Sequence, residues 1–190
     1  SESGATKRFC FDSSVCVGYG GDDYSIDSRG DVVAIVVGGF GTDVTLMKSI
    51  DNGSNWTKTI VDSFPIFNFD DNVMLTDTNG DSVADTLFSG SGDNHVVIDN
   101  NGMCHVFFSV VRVICDNPGT GAGFGLSFFP YTDGLYYWNE TFGPDSVQLI
   151  AYVQDLNSNG ILDTPFPPAL CNNAVNEFPF GVYRGGLTQM

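Results

Sequence analysis

The sequence predicts an all-β protein built from a four-stranded unit that occurs about twice. Two observations predict the class. The 190 residues are rich in Val, Ile, Thr, Phe and Tyr, with 16 Phe and 7 Tyr, and poor in the helix formers Glu, Lys and Ala. No segment keeps a helical period over about 11 residues, whereas short apolar or alternating runs recur between Asp-, Asn- and Gly-rich turns.

A third observation predicts the repetition. Ile26-Asp27-Ser28-Arg29-Gly30 returns as Ile98-Asp99-Asn100-Asn101-Gly102, 72 positions on. A turn of D-x4-W type, Asp51 to Trp56, returns in degenerate form as Asp133 to Trp138, 82 positions on. An acidic loop, Asp77-x-Asn79-x-Asp81-x-x-x-Asp85, returns as Asp155-x-Asn157-x-Asn159-x-x-x-Asp163, 78 positions on. Three landmarks in one order at nearly one offset imply a structural unit of roughly 75 to 80 residues.

The elements follow in order. Residues 1–23 are polar and irregular, an N-terminal segment or the end of a preceding unit. Val32 to Val37 is a continuous apolar run, expected as a strand buried on both faces. Val44 to Ile50 alternates, Asp51-Asn52-Gly53 turns the chain, and Trp56 to Val61 returns as the second arm of a hairpin. Val73 to Leu75 reads as a short strand leading into the first acidic loop. In the second unit, His95 to Ile98 and Met103 to Ile114 flank the Asn100-Asn101-Gly102 turn, a glycine-rich loop covers 116–127, and Leu135 to Asn139 and Val147 to Val153 are further strands. The units span 24–90 and 91–163, and 164–190 reads as a connection toward a further unit. About four short strands per unit describe β-propeller blades, here two to three blades of a partial propeller. A face-to-face sandwich and a ring completed by several chains are the alternatives.

The net charge is −16, from 23 acidic and 7 basic residues, and only Glu2, Glu140 and Glu177 among the acids are Glu. A field of that sign repels phosphate backbones and anionic lipid, so nucleic acid is excluded as an expected partner. No apolar run approaches the roughly 18 residues of a membrane helix. The chain opens at Ser1 without an initiator Met and reads as a mature product or an excised piece. Five cysteines without a C-x-x-C, and only His95 and His105 as imidazoles, make a zinc site an unexpected outcome. Disulfides Cys10–Cys16 and Cys104–Cys115 are the expected pairs in an extracellular setting, with Cys171 left over.

The acidic loops suit a hard cation. Asp77, Asn79, Asp81 and Asp85, with the Val83 carbonyl, place oxygens at positions 1, 3, 5, 9 and 7 of a Ca2+ loop. Asp155, Asn157, Asn159, Asp163 and the Ile161 carbonyl do the same, and Gly160 supplies the sharp turn where the first loop has Ser82. Both resemble thrombospondin type 3, dockerin and EF-hand-like loops. Phe88 and Phe166 stand where an EF-hand has its bidentate Glu, so each site would need other oxygens or water. The alternative is an Asx-rich turn that needs no metal.

Ser49-Ile50-Asp51-Asn52-Gly53-Ser54-Asn55-Trp56 matches the S-x-D-x-G-x-x-W pattern of the Asp-box in bacterial sialidase (BNR) repeats. Over residues 20–163 the chain resembles part of a sialidase-superfamily propeller of a secreted, Bacteroidetes-like bacterial protein. The resemblance implies structural roles for Ser49, Asp51, Gly53 and Trp56, and for Asp133 and Trp138 in a degenerate second box. It also implies that catalysis would need an arginine triad and a Tyr/Glu pair. This chain has only Arg8, Arg29, Arg112 and Arg184, and Glu140 and Glu177 have no evident Tyr partner. The expected function is therefore a non-catalytic, secreted or cell-surface module for adhesion, glycan binding or extracellular assembly. Its partners would be a glycan, a cell-surface protein, further blades or neighbouring subunits. A fragment of a sialidase-like glycoside hydrolase is the alternative. Tyr131, Tyr136, Tyr137 and Trp138 are candidates for a sugar-stacking platform or for core. His95 and His105 are expected as core or rim histidines.

Overall fold

The computed structural model describes residues 23–119 and 125–152, the side chains of 130–133 and 152 excepted. Eight strands run through them: β1 Tyr24–Arg29, β2 Val32–Val37, β3 Val44–Ser49, β4 Thr57–Asp62, β5 Leu87–Ile98, β6 Cys104–Ile114, β7 Ser127–Asn139 and β8 Gln148–Tyr152. They form two four-stranded antiparallel sheets, β1-β2-β3-β4 and β5-β6-β7-β8, each a meander. Among the described residues there is no helix, hence none long and apolar enough to cross a membrane.

Local chemistry sets each hairpin. Gly30, with φ 60°, turns β1 into β2, and Gly102, with φ 79°, serves the β5–β6 turn. The first landmark pair thus opens each sheet in the same way. In the second turn, Asp99 accepts the amides of Asn101 and Met103, both at 2.8 Å. In the first, Asp27 instead reaches across to the other sheet.

The sheets pack face to face. Ala34, Val36, Val44, Leu46 and Val61 of the first meet Val96, Ile98, Cys104, Val106, Phe108, Val110 and Trp138 of the second. Burying about 25 cal/mol per Å2 of such surface is the main stabilising term. In β2 only Ala34 and Val36 are buried, while Val33, Ile35 and Val37 are half-buried. The expectation of burial on both faces is corrected to one fully packed face.

Polar contacts fix the register of the stack. The Val96 and Ile98 amides donate to Ser25 Oγ at 3.3 Å and Asp27 Oδ2 at 2.7 Å. Arg29 Nε donates to the Ile98 carbonyl at 2.9 Å and its Nη1 to Asn100 Oδ1 at 2.7 Å. Side chains of β1 therefore satisfy the edge of β5 that faces away from β6. From β3, Lys48 reaches Glu140 at 2.7 Å and the Gly102 carbonyl at 2.7 Å.

Four sequence expectations change. Residues 73–75 form no strand and lie in the turn-rich connection between Asp62 and Leu87. Strand β5 begins at Leu87, well before His95, because Ser89-Gly90-Ser91-Gly92 looks like a turn but forms a bulge with a register shift between Gly90 and Asn94. Gly92 has φ 91°, and a Cβ there would stand 2.5 Å from an Asp23 carboxylate oxygen. The second turn, Asp133 to Trp138, is no turn: these residues lie within β7, and the chain reverses after Asn139. Finally, Cys104 and Cys115 are free thiols at opposite ends of β6. Eleven strand positions separate them by more than about 30 Å, against the roughly 7 Å a disulfide allows. Burial pushes the Cys104 thiol up to about 11. Cys10, Cys16, Cys171, the second acidic loop and residues 164–190 lie outside the described residues.

Candidate functional site

Residues 49–56, the segment with the S-x-D-x-G-x-x-W pattern, form a turn closed by its own hydrogen bonds. Ser49 Oγ donates to Asp51 Oδ1 at 2.8 Å and accepts the Gly53 amide at 2.8 Å. Asp51 accepts the Asn55 amide at 2.8 Å and the Asn55 side-chain amide, and Trp56 Nε1 donates to the Gly53 carbonyl at 3.1 Å. Led by the two Asn55 bonds, these donors hold the Asp51 carboxyl down to about 2. The Ser49 hydroxyl and the Asp51 carboxylate are thus engaged by the turn itself. Trp138, in contrast, is 1% exposed in the core, with Nε1 donating to the Gly143 carbonyl at 2.6 Å. The side chain of Asp133 lies outside the described residues.

The first acidic loop is also knitted to its own backbone. Asp77 accepts the amides of Asn79 (3.1 Å), Gly80 (2.7 Å) and Ser82 (2.8 Å). Asn79 Oδ1 accepts the Asp81 amide at 2.9 Å, Asp81 Oδ1 the Val83 amide at 2.8 Å, and Asp85 Oδ2 the Thr78 amide at 2.9 Å. Amide bonds hold the Asp77 carboxyl below its usual range, and Thr78 does the same for Asp85. Ser82 has φ 65°, the left-handed conformation that glycine would take at that position. Each ionised carboxylate has about four acceptor sites, so the loop keeps oxygen lone pairs for a cation. Among the described residues, however, no three His, Cys, Asp or Glu side chains converge on a metal-sized centre. A bound ion would depend on Asn79, the Val83 carbonyl and water as well.

The chemistry-bearing surface is the face of the second sheet turned away from the first. Aligning Ile98 with Ile26 and following the strand registers places Cys104 on Ile35 and His105 on Val36, then Asn139 on Leu46 and Tyr137 on Val44. In the first sheet Val36, Leu46 and Val44 are aliphatic core beneath the second sheet. In the second sheet the corresponding positions carry an imidazole, an amide and a phenol, with Phe107 paired to Tyr137 beside them.

These groups form one connected set. His105 Nδ1 lies 2.7 Å from Tyr137 Oη, and Asn139 Nδ2 donates to the same oxygen at 2.9 Å. With the amide donating, the phenol can give its hydrogen to His105 Nδ1 when the neutral imidazole carries its proton on Nε2. That nitrogen faces Asp99 Oδ2 at 3.8 Å. The Met103 amide, followed by Asn101, holds the Asp99 carboxyl below its usual range, so it is ionised at neutral pH. The Tyr137 ring lies 5.1 Å from Phe107, 6.0 Å from His105 at an interplanar angle of 15°, and 5.6 Å from Phe142 edge-on. The arrangement offers half-exposed ring surface bordered by polar atoms.

Of the four aromatic candidates, strand alternation separates Tyr137 from Tyr136 and Trp138, which face the core side; the Tyr131 side chain lies outside the described residues. Phe107 was not evident from sequence, because an aromatic inside an apolar run carries no sign of which face it takes, and Phe142 was not, because it lies in the polar turn after β7. His105 was evident only as a histidine. Its pairing with Tyr137 needed the β6–β7 register.

Comparison of the chain with family models, curated proteins and solved structures finds no match. Nothing in these comparisons identifies a sialidase-type repeat.

Proposed function

We propose that the chain is a non-catalytic carbohydrate-binding module of a secreted or cell-surface protein, built from two propeller-like blades. Its ligand surface is the outer face of the second sheet. One observation carries the reading: where the first sheet has Val36, Leu46 and Val44 in its core, the second has His105, Asn139 and Tyr137 on a face that the first sheet does not cover. A blade whose outer face served only to stack on another would be expected to keep those positions aliphatic. Aromatic faces edged by hydrogen-bonding groups suit sugars, whose rings present apolar C–H faces and a rim of hydroxyls. Asp99 and His105 supply that rim, while buried Asn139 holds the Tyr137 hydroxyl from behind at 2.9 Å. Two consecutive meanders stacked face to face support the blade reading.

A hydrolytic role has less support. Glu140 is bound to Lys48 and to the Cys104 amide at 2.8 Å. Arg29 is engaged at β5, and Arg112 lies over the Phe88 ring at 5.0 Å. These groups do not form an anion clamp around a Tyr/Glu pair.

A glycan array probed with the native chain tests the reading. Binding should appear, and Tyr137→Ala should weaken it by about tenfold or more, as expected for a central aromatic anchor, whereas Tyr137→Phe, which keeps the ring, should weaken it less. No binding to any glycan would overturn it, and turnover of a fluorogenic sialoside would replace it with the hydrolase. We also propose Ca2+ as a ligand of the first acidic loop. Millimolar Ca2+ should raise the melting temperature and chelator should reverse the rise. An unchanged melting curve would leave the loop as an Asx turn alone.

A further inference from the structure

The same registers define the opposite face of the first sheet. Tyr24, Ile26, Ile35 and Val37 correspond to Val96, Ile98, Cys104 and Val106 of the second. The latter four are 0–1% exposed, covered by the first sheet. Tyr24 and Ile26 are 57% and 58% exposed. Further along this face Thr45 and Met47 of β3 are already buried, so the exposed strip belongs to β1 and β2.

The strip differs electrostatically from the rest of the chain. The residues alternating onto this face along β1 to β4 are Tyr24, Ile26, Ser28, Val33, Ile35, Val37, Thr45, Met47, Ser49, Lys58 and Ile60. None is acidic, in a chain with 23 Asp and Glu and a net charge of −16. Two such chains repel over most of their surfaces. They can approach closely where no carboxylate faces another.

We infer that this strip is a self-association surface that joins two copies of the chain back to back. A head-to-tail stack would set Tyr24 and Ile26 against the outer face of the second sheet. It could satisfy Asp99 as the Ile98 amide satisfies Asp27, but it would bury the polar groups of His105 and Tyr137, which stand where the first sheet has Val36 and Val44, beneath aliphatic side chains. A two-fold pairing sets apolar against apolar and leaves the outer face of the second sheet open, and it is the commonest oligomer symmetry. Two strands about 4.8 Å apart and about 20 Å long offer only a few hundred Å2 per chain, which indicates a weak, reversible dimer. Screening of the net charge should strengthen it.

Sedimentation velocity from about 1 to 500 μM, at low and high salt, tests the inference. The expected result is a reversible shift from 20.4 kDa toward twice that mass, larger at high salt. Ile26→Asp should abolish the shift with little change in melting temperature, and Tyr24→Asp provides a second variant should the first fold poorly. A monomer throughout the range would overturn the proposal. So would a dimer indifferent to both variants, or an open-ended ladder of larger species, which is the signature of head-to-tail stacking. Tyr137→Ala should leave the shift intact, so failure here is distinguishable from failure of the carbohydrate reading.

Discussion

Replacing Asp62 with Asn should stabilise the protein at neutral pH by about 1–2 kcal/mol and flatten its stability between pH 4 and 6. Asp62 ends β4 at the seam between the sheets. The next two amides are each taken by a carboxylate: Ser63 donates to Asp145 Oδ1 at 2.8 Å and Phe64 to Asp43 Oδ1 at 2.9 Å. Burial, then Asp145, then Asp43 push the Asp62 carboxyl up from 3.8 to about 6. Burial, then Asp62, also raises the phenol of Tyr136, which packs against the core from β7. The sign follows from linkage. A carboxyl whose folded value is raised binds its proton more tightly when folded. Its penalty is absent below 3.8, grows as pH rises through about 6, and is complete above. The full shift corresponds to about 3 kcal/mol, and partial exposure of the group reduces it to the range given. Asp51, held near 2, acts oppositely: its contribution is present above 3.8 and lost as pH falls toward 2. Stability should therefore peak in mildly acidic solution, between about pH 4 and 5. Denaturant melts of native and Asp62→Asn protein from pH 3 to 8 provide the check. A variant less stable than native at pH 7 would mean that the Asp62 charge supports the seam.

Trp138→Ala should lower stability by about 3–5 kcal/mol, while Trp56→Ala should cost roughly 1–2. Trp138 is 1% exposed in the main core, with its indole nitrogen bonded to Gly143, so truncation opens a cavity and removes the donor that closes the β7–β8 turn. Trp56 is half-buried at the sheet rim, and its loss frees mainly the Gly53 carbonyl. Urea melts of the two variants measure the contrast. Equal losses would indicate that both tryptophans act as Asp-box residues.

How much of this was legible in sequence depended on the range of the interaction. Ser49, Asp51, Gly53, Asn55 and Trp56 bond to one another within eight residues, a range that a local pattern can express. The 72-residue echo of Ile26 at Ile98 marked the first hairpin of each sheet correctly. Failures came where tertiary packing overrides local pattern. Ser89 to Asp93 has turn composition yet continues β5, because the register with β6 resumes across a bulge in which Gly92 takes φ 91°. Asp133 to Trp138 has an Asp–Trp spacing like that of the box yet belongs to β7, where the β6 register sets Trp138 opposite Val106 in the core. The His105–Tyr137–Asn139 set spans two strands joined by a long connection. No local spacing encodes that register.

The most direct test of the carbohydrate-binding face is a titration of isotope-labelled protein with the best glycan from the array, read by backbone amide shifts. The account predicts changes concentrated at His105, Phe107, Tyr137 and Asn139, with residues of the first sheet's core unmoved. Changes confined to the acidic loop at 77–85, or to the Asp-box hairpin at 49–56, would contradict it and move the ligand to the rim of the sheets.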